Sequence, residues 1–175
     1  MPQRQDYILR MIEELGRFVA EATKFRDAGH HDAALLAILR AQERLFARPS
    51  QDFMARTAED QVRLLVVGES DANAVEKCRV YANLIVEAGL IYQAREQSAL
   101  ALGACHYALQ VVDLARTRFP AGNFATAGAR VAGLVAALPD SEMKSEIAAQ
   151  MSRPSPAADP GSAPSDAGRR PEGSP

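Results

Sequence analysis

The stretch between Asp71 and Phe119 constrains the fold most, because it contains no proline and only two glycines, Gly89 and Gly103. As one helix it would be roughly 70 Å long at 1.5 Å per residue, which is too long for one compact domain. We therefore predict that it folds back on itself as an antiparallel helical hairpin, centred on residues 82–114.

Two places are candidates for the turn of this hairpin. A turn at Gly89 would expose the apolar residues 90–92 that follow it. The polar run at residues 95–98 exposes less apolar surface, so we place the turn there, although it lacks a glycine. Gly89 then lies inside a helix, at a cost of about 1 kcal/mol relative to alanine. We expect a close helix crossing at Gly89 to compensate for this cost.

The composition favours helices over sheets. Apolar residues make up 47% of the chain, but aromatic residues only 6%, and there is no tryptophan. Much of the apolar content is alanine, which has the highest helix propensity and adds little to a pleated surface. The net charge is −2, and the two signs are mixed along the chain. The chain has no run of basic residues that could bind along a phosphate backbone, so we do not expect a nucleic-acid partner.

Before the hairpin, apolar residues recur with a 3.6-residue period over residues 6–28, which predicts a helix of six turns. We expect Asp6 to cap this helix and Gly29 to end it. A second helix is predicted from an N-cap at Asp32 to a point before Pro49. The connection is so short that the two helices must be antiparallel neighbours.

The remaining segments predict shorter helices. The expected features are a helical turn in residues 50–56, a short helix that starts at Thr57 and stops at Gly68, a cap at Ser70 or Asp71, an Ala/Gly-rich helix that Asn123 caps and that runs to Leu138, and a last helix at residues 141–151. Residues 1–151 should thus form one all-α domain of about six to seven helices. Residues 152–175 are rich in Pro, Ala, Gly and Ser and should form a disordered tail.

The sequence predicts a cytoplasmic protein. Acidic residues interrupt the N-terminal segment where a signal peptide would be apolar. The longest apolar run, residues 98–115, is interrupted by His106, Gln110 and Asp113, so no membrane span or membrane partner is expected. Cys78 and Cys105 lie inside helical patterns; they are either neighbours across the hairpin or, as is commoner in a reducing cytosol, buried free thiols.

The two hairpins share one order of side-chain sizes. The matching positions are Phe18, Ala22, Phe25, Ala34, Ile38 and Ala41 in the first and Ile85, Gly89, Tyr92, Ala101, Cys105 and Ala108 in the second. This order of large, small, aromatic and then small, large, small resembles the tetratricopeptide repeat. The resemblance implies a right-handed superhelical stack, or α–α bundle, in which the small positions let paired helices pack closely. The second copy departs from the pattern by having Glu96 where the first has Gly29.

Three further segments, QDYILRMIEELGRF, GHHDAALLAI and TAEDQVRLL, resemble an uncharacterised bacterial family of small tetratricopeptide-like proteins that begin with DYIxRMIE. The resemblance covers roughly residues 5–114. It implies an all-helical fold and no catalytic residues.

The sequence offers few groups for chemistry. His30 and His31 lie in a predicted turn, where solvation explains them better than a metal site. His106 and Asp113 share a helix face with Gln110 and form the one polar set that suggests a proton donor or a ligand. Cys105 and His106 point about 100° apart on a helix, so they cannot form a nucleophile pair. No phosphate loop, HExxH or GxSxG is present. We therefore predict no catalytic residues, cofactor or metal.

The repeat resemblance implies a binding surface on the first helix of each hairpin. Its predicted members are Val19, Thr23, Arg26, Asn83, Val86, Leu90 and Gln93, a mixed surface suited to a peptide or helix. The alternative is that the two C-terminal helices fill this groove. The favoured function is a non-catalytic adaptor or scaffold that binds another protein. A chaperone-like carrier of an amphipathic or unfolded client segment, possible as a homodimer, is the second hypothesis. An enzyme using His106 and Asp113 is the third.

Overall fold

The computed structural model describes residues 2–153, with side chains from Tyr7 onward. Over these residues the protein is all-helical, with eight α-helices and no strand, which confirms the predicted class. The helices are α1 (Pro2–Asp27), α2 (His31–Phe46), α3 (Ser50–Met54), α4 (Ala58–Val66), α5 (Asp71–Ala94), α6 (Ser98–Arg118), α7 (Ala125–Ala137) and α8 (Glu142–Met151). Apart from its first two residues, the predicted tail lies outside the described residues.

Two predicted helix starts are wrong. α1 begins at Pro2 rather than after a cap at Asp6. Proline is favourable at the first helical position, because a backbone N–H there would have no hydrogen-bond partner within the helix and proline has no N–H. α2 begins at His31, and its N-cap, His30, makes no side-chain hydrogen bond. Asp32 therefore lies in the first turn, where its negative charge favours the helix dipole.

The starts of α4, α5 and α8 follow short polar side chains, as the sequence indicates. Thr57, Ser70 and Ser141 each accept a hydrogen bond from a backbone N–H in the first turn of the helix they precede. The predicted cap of α7 is displaced by one residue. Phe124 is its N-cap, and Asn123 accepts a hydrogen bond from the backbone N–H of Ala125 at 3.0 Å.

The α5–α6 turn lies at residues 95–97, where the sequence places it. The N–H of Gln97 bonds to the carbonyl of Tyr92 at 2.9 Å, and the N–H of Glu96 bonds to that of Gln93 at 2.9 Å. This pair of bonds is a Schellman motif, which requires a left-handed residue, and Glu96 has φ 60°. Gly29 occupies the same position after α1 with φ 77°. The two hairpins therefore turn in the same way.

Replacing Glu96 by glycine is expected to stabilise the protein. The left-handed conformation costs a residue with a side chain about 1–2 kcal/mol, and the greater backbone entropy of glycine in the unfolded chain offsets part of this gain. We expect a net increase of about 0.5–1 kcal/mol in the free energy of unfolding, measured by urea denaturation. The control, Ala20→Gly inside α1, should lose a similar amount. An unchanged midpoint for Glu96→Gly would contradict the turn geometry.

Three successive pairs of helices, α1–α2, α5–α6 and α7–α8, pack against each other, and α5 also packs on α2. The ion pair between Arg95 and Asp32, 2.7 Å long, joins the end of α5 to the start of α2, so these two helices are antiparallel. α7 packs on both α5 and α6. Because Arg130 contacts Asn83 and Leu134 lies against Gly89, α7 runs parallel to α5.

Small residues form the closest helix contacts, as predicted. Gly89 is buried inside α5, and Ala101, Cys105 and Ala108 of α6 have no exposed surface. A Cβ atom on Gly89 would lie 2.8 Å from Cδ2 of Leu134 and 3.3 Å from Cβ of Ala104. Gly89 therefore marks the point where α5, α6 and α7 meet.

A buried aromatic cluster holds the short helices α3 and α4 in place. The ring of Phe53 stacks on that of Phe46 at a centroid distance of 4.2 Å, and Tyr81 meets Phe46 edge-on at 5.0 Å. Gln61 is buried beside them, where its amide donates to the carbonyl of Phe53 at 2.8 Å and accepts from the Tyr81 hydroxyl. The irregular segment between the two hairpins is thus part of the core.

Within residues 2–153, α6 is the one helix long and apolar enough to cross a membrane, with a mean hydropathy of 1.2. Many of its apolar positions, including Leu102, Leu109 and Val112, are buried, and the helix packs against α4, α5, α7 and α8. The buried residues of α6 belong to the hydrophobic core.

Candidate functional site

The predicted binding surface lies on α1 and α5, and the structure separates one residue from the rest. Val86 is only 1% exposed and belongs to the core, so the expectation that it is exposed is wrong. α5 is covered on several sides, which hides the apolar stripe that a surface helix would show. The other six residues are half-buried: Val19, Thr23, Arg26, Asn83, Leu90 and Gln93. We call these six residues, with Arg130 of the adjoining α7, the α1–α5–α7 face.

The alternative, in which the C-terminal helices fill the groove, holds for α7 alone. α7 packs along α5, and Nη1 of Arg130 donates to Oδ1 of Asn83 at 3.1 Å. α8 packs on α6 and α7 instead. α5 is thus in contact with both α1 and α7.

Glu87 lies at the centre of this face and binds an arginine from each flanking helix. Its carboxylate accepts a hydrogen bond from Nη2 of Arg130, and its Oε2 is 3.7 Å from Nη1 of Arg26. Arg26 also pairs with the exposed Asp27 at 3.1 Å. Glu87 is only 8% exposed, so its charge requires such partners. The network ties α1, α5 and α7 together across the candidate surface.

Sequence reasoning identified Arg26 and Asn83 but missed Glu87 and Arg130. A signal was present, because Glu87 is the only charged residue between Arg79 and Arg95, a segment of α5 that is otherwise almost wholly apolar. Arg130 is likewise the only charged residue of α7. Two such isolated opposite charges indicate a pair, since charged side chains are rarely buried alone.

The hypothetical polar site on α6 is not assembled. Nε2 of His106 is 3.0 Å from Nε2 of Gln110, whereas Oδ2 of Asp113 accepts from Nε2 of Gln150 at 3.0 Å. Each residue therefore has its own neighbour, and both are exposed. No hydrogen bond joins His106 to Asp113, so only His106 and Gln110 of the set that suggested a proton donor or a ligand are hydrogen-bonded to each other.

Of the two adjacent histidines that the sequence places in a turn, only His30 lies in the turn between α1 and α2. His30 is exposed, and His31 is the first residue of α2. Within residues 7–153, no group of three or more His, Cys, Asp or Glu residues is placed to hold a metal ion.

Both cysteines are free and fully buried, as expected for the commoner of the two alternatives. Burial raises the pKa of the Cys78 thiol to about 11, and it raises the pKa of Cys105 to about 11 as well. Thiolates are the reactive form, so these thiols are poor nucleophiles in the folded protein.

Two results should follow from the buried thiols. A maleimide should label neither Cys78 nor Cys105 at pH 8 until denaturant is added. Because both pKa values are raised above their usual 9, the stability that the protonated thiols contribute is complete below pH 9 and is lost as pH rises towards 11. Urea titrations at several pH values should show this loss, and it should shrink in the Cys78→Ala/Cys105→Ala variant. Rapid labelling of the native protein would contradict the placement of both helices.

These features define an all-helical protein of packed hairpins with a charged network at the centre of one face. We find no match to a protein-family model, to a curated protein or to a solved structure.

Proposed function

We propose that this protein is a non-catalytic adaptor of tetratricopeptide-like architecture that binds another protein through the α1–α5–α7 face. The observation that carries the proposal is the succession of three helical hairpins, whose first helices, α1, α5 and α7, lie side by side. Half-buried apolar and polar side chains alternate there, a mixture suited to an amphipathic segment. The separation of His106 from Asp113 supports a non-catalytic role, and we place the protein in the cytoplasm.

Affinity purification from the native host, followed by quantitative mass spectrometry, tests this proposal. Thr23→Arg places a long charged side chain on the face. The amount of partner protein that co-purifies with this variant should fall at least tenfold. The matched control is Met54→Arg, because Met54 is 60% exposed on α3. Circular dichroism confirms that both variants are folded. A partner set that is the same for the parent, Thr23→Arg and Met54→Arg would overturn the proposal.

The chaperone-like carrier remains the second hypothesis, and it predicts a dimer. Sedimentation of the purified chain distinguishes the two, because the adaptor proposal requires no self-association. A monomer that still loses its partner in Thr23→Arg would favour the adaptor.

A further inference from the structure

A cleft of about 550 Å³ lies between α6, α7 and the end of α8. The α7 residues that line it are not Arg130 and Leu134, which contact α5. This volume falls within the range of small-molecule sites, roughly 300–1,000 Å³. α8 covers one part of the groove between α6 and α7, where Ile147 has no exposed surface. α8 ends at Met151, which lines the cleft, and no other helix of residues 2–153 covers the groove beyond it.

The cleft is lined by both apolar and charged side chains. Leu109 of α6, Ala129 of α7 and Met151 of α8 supply apolar surface. Small residues along α7 let a ligand approach its backbone closely. The apolar part of the lining therefore suits a linear apolar chain.

The charges in the cleft favour an anion. Arg116 and Arg153 both line it, against one acid, Asp113. Asp113 is already engaged, because its Oδ2 accepts from Gln150 at 3.0 Å. Its Oδ1 is 4.0 Å from Nη1 of Arg116, at the limit of an ion pair, so Arg116 is only weakly neutralised. A guanidinium group binds a carboxylate through two parallel N–H bonds.

We propose that this cleft binds a small free carboxylate attached to a linear apolar chain. The carboxylate pairs with Arg116 and Arg153, and the chain lies along Leu109, Ala129 and Met151. This ligand site is separate from the protein-binding face and does not depend on the adaptor role.

Calorimetry with the full chain and octanoate as the probe tests the proposal, with 1-octanol as the uncharged analogue. We expect octanoate to bind, and Arg116→Gln to weaken it about tenfold, since a hydrogen bond between charged groups contributes about that factor. Ala129→Leu, which fills the cleft from an exposed position, should abolish binding. Arg63→Gln on α4, where Arg63 is 61% exposed, should leave binding unchanged.

Three outcomes would overturn this site. They are the absence of octanoate binding at millimolar concentration, equal binding of 1-octanol, and binding that survives both Arg116→Gln and Ala129→Leu. Thermal melts check that Arg116→Gln and Ala129→Leu are both folded. If one of them is not, the other still tests the site. Each outcome is measured on the purified chain alone, so it leaves the adaptor proposal unaffected.

Discussion

Replacing Gly89 by leucine is expected to lower the free energy of unfolding by about 3 kcal/mol, because overpacking of a tight core costs about 1–3 kcal/mol and sometimes more. A Cβ atom there would lie 2.8 Å from Leu134, 3.3 Å from Ala104 and 3.6 Å from the carbonyl oxygen of Ala101. The added side chain must therefore push α6 or α7 away from α5. Urea denaturation with an unchanged m value measures the loss.

Gly103 provides the matched control, because it also lies inside a helix but a Cβ atom there meets nothing within 4 Å. Gly103→Leu should therefore gain up to about 1 kcal/mol from helix propensity alone. If Gly89→Leu were as stable as Gly103→Leu, the packing of α7 on the α5–α6 hairpin would be wrong.

Removing the carboxylate of Glu87 is expected to cost about 2–3 kcal/mol. Glu87→Leu would leave Arg26 and Arg130 partly buried without their shared partner, and breaking a fully buried pair costs about 3–5 kcal/mol. The two arginines are 22% and 34% exposed, so water compensates for part of the loss. Thermal and urea denaturation measure the effect.

Two further variants decide the cause of that loss. The triple variant Arg26→Met/Glu87→Leu/Arg130→Met should recover most of it, because replacing a whole buried network by apolar residues is often neutral. Glu59→Leu, at an exposed ion pair on α4, should change stability by less than about 1 kcal/mol. A triple variant as unstable as Glu87→Leu would show that the network does not hold the three helices together.

The sequence predicts the helices and their main turn well, because both depend on local patterns. The apolar period and the polar run at residues 95–98 place the α5–α6 turn, and Gly89 indicates a close crossing before any contact is known. The predicted starts of α1 and α2 are wrong, because the choice of N-cap depends on a few local hydrogen bonds and several neighbouring residues can make similar ones. Asp6 and Asp32 are both acceptable caps, yet each lies inside its helix.

The candidate site was less predictable, because it depends on contacts between distant residues. Glu87 and Arg130 are 43 positions apart, and no local pattern joins them. The exposure of Val86 depends on what packs beside α5, and neither apolar period nor helix propensity specifies that arrangement. The resemblances to tetratricopeptide proteins and to the DYIxRMIE family stay predictions.

Site-specific photo-crosslinking in the native host tests most directly the claim that the α1–α5–α7 face binds a partner. A photoreactive amino acid at position 23 lies on the face, and one at position 67 replaces Val67, which is 72% exposed between α4 and α5. We expect a discrete cross-linked protein from position 23 and none of the same mass from position 67. No adduct from position 23, or the same adduct from both positions, would contradict it.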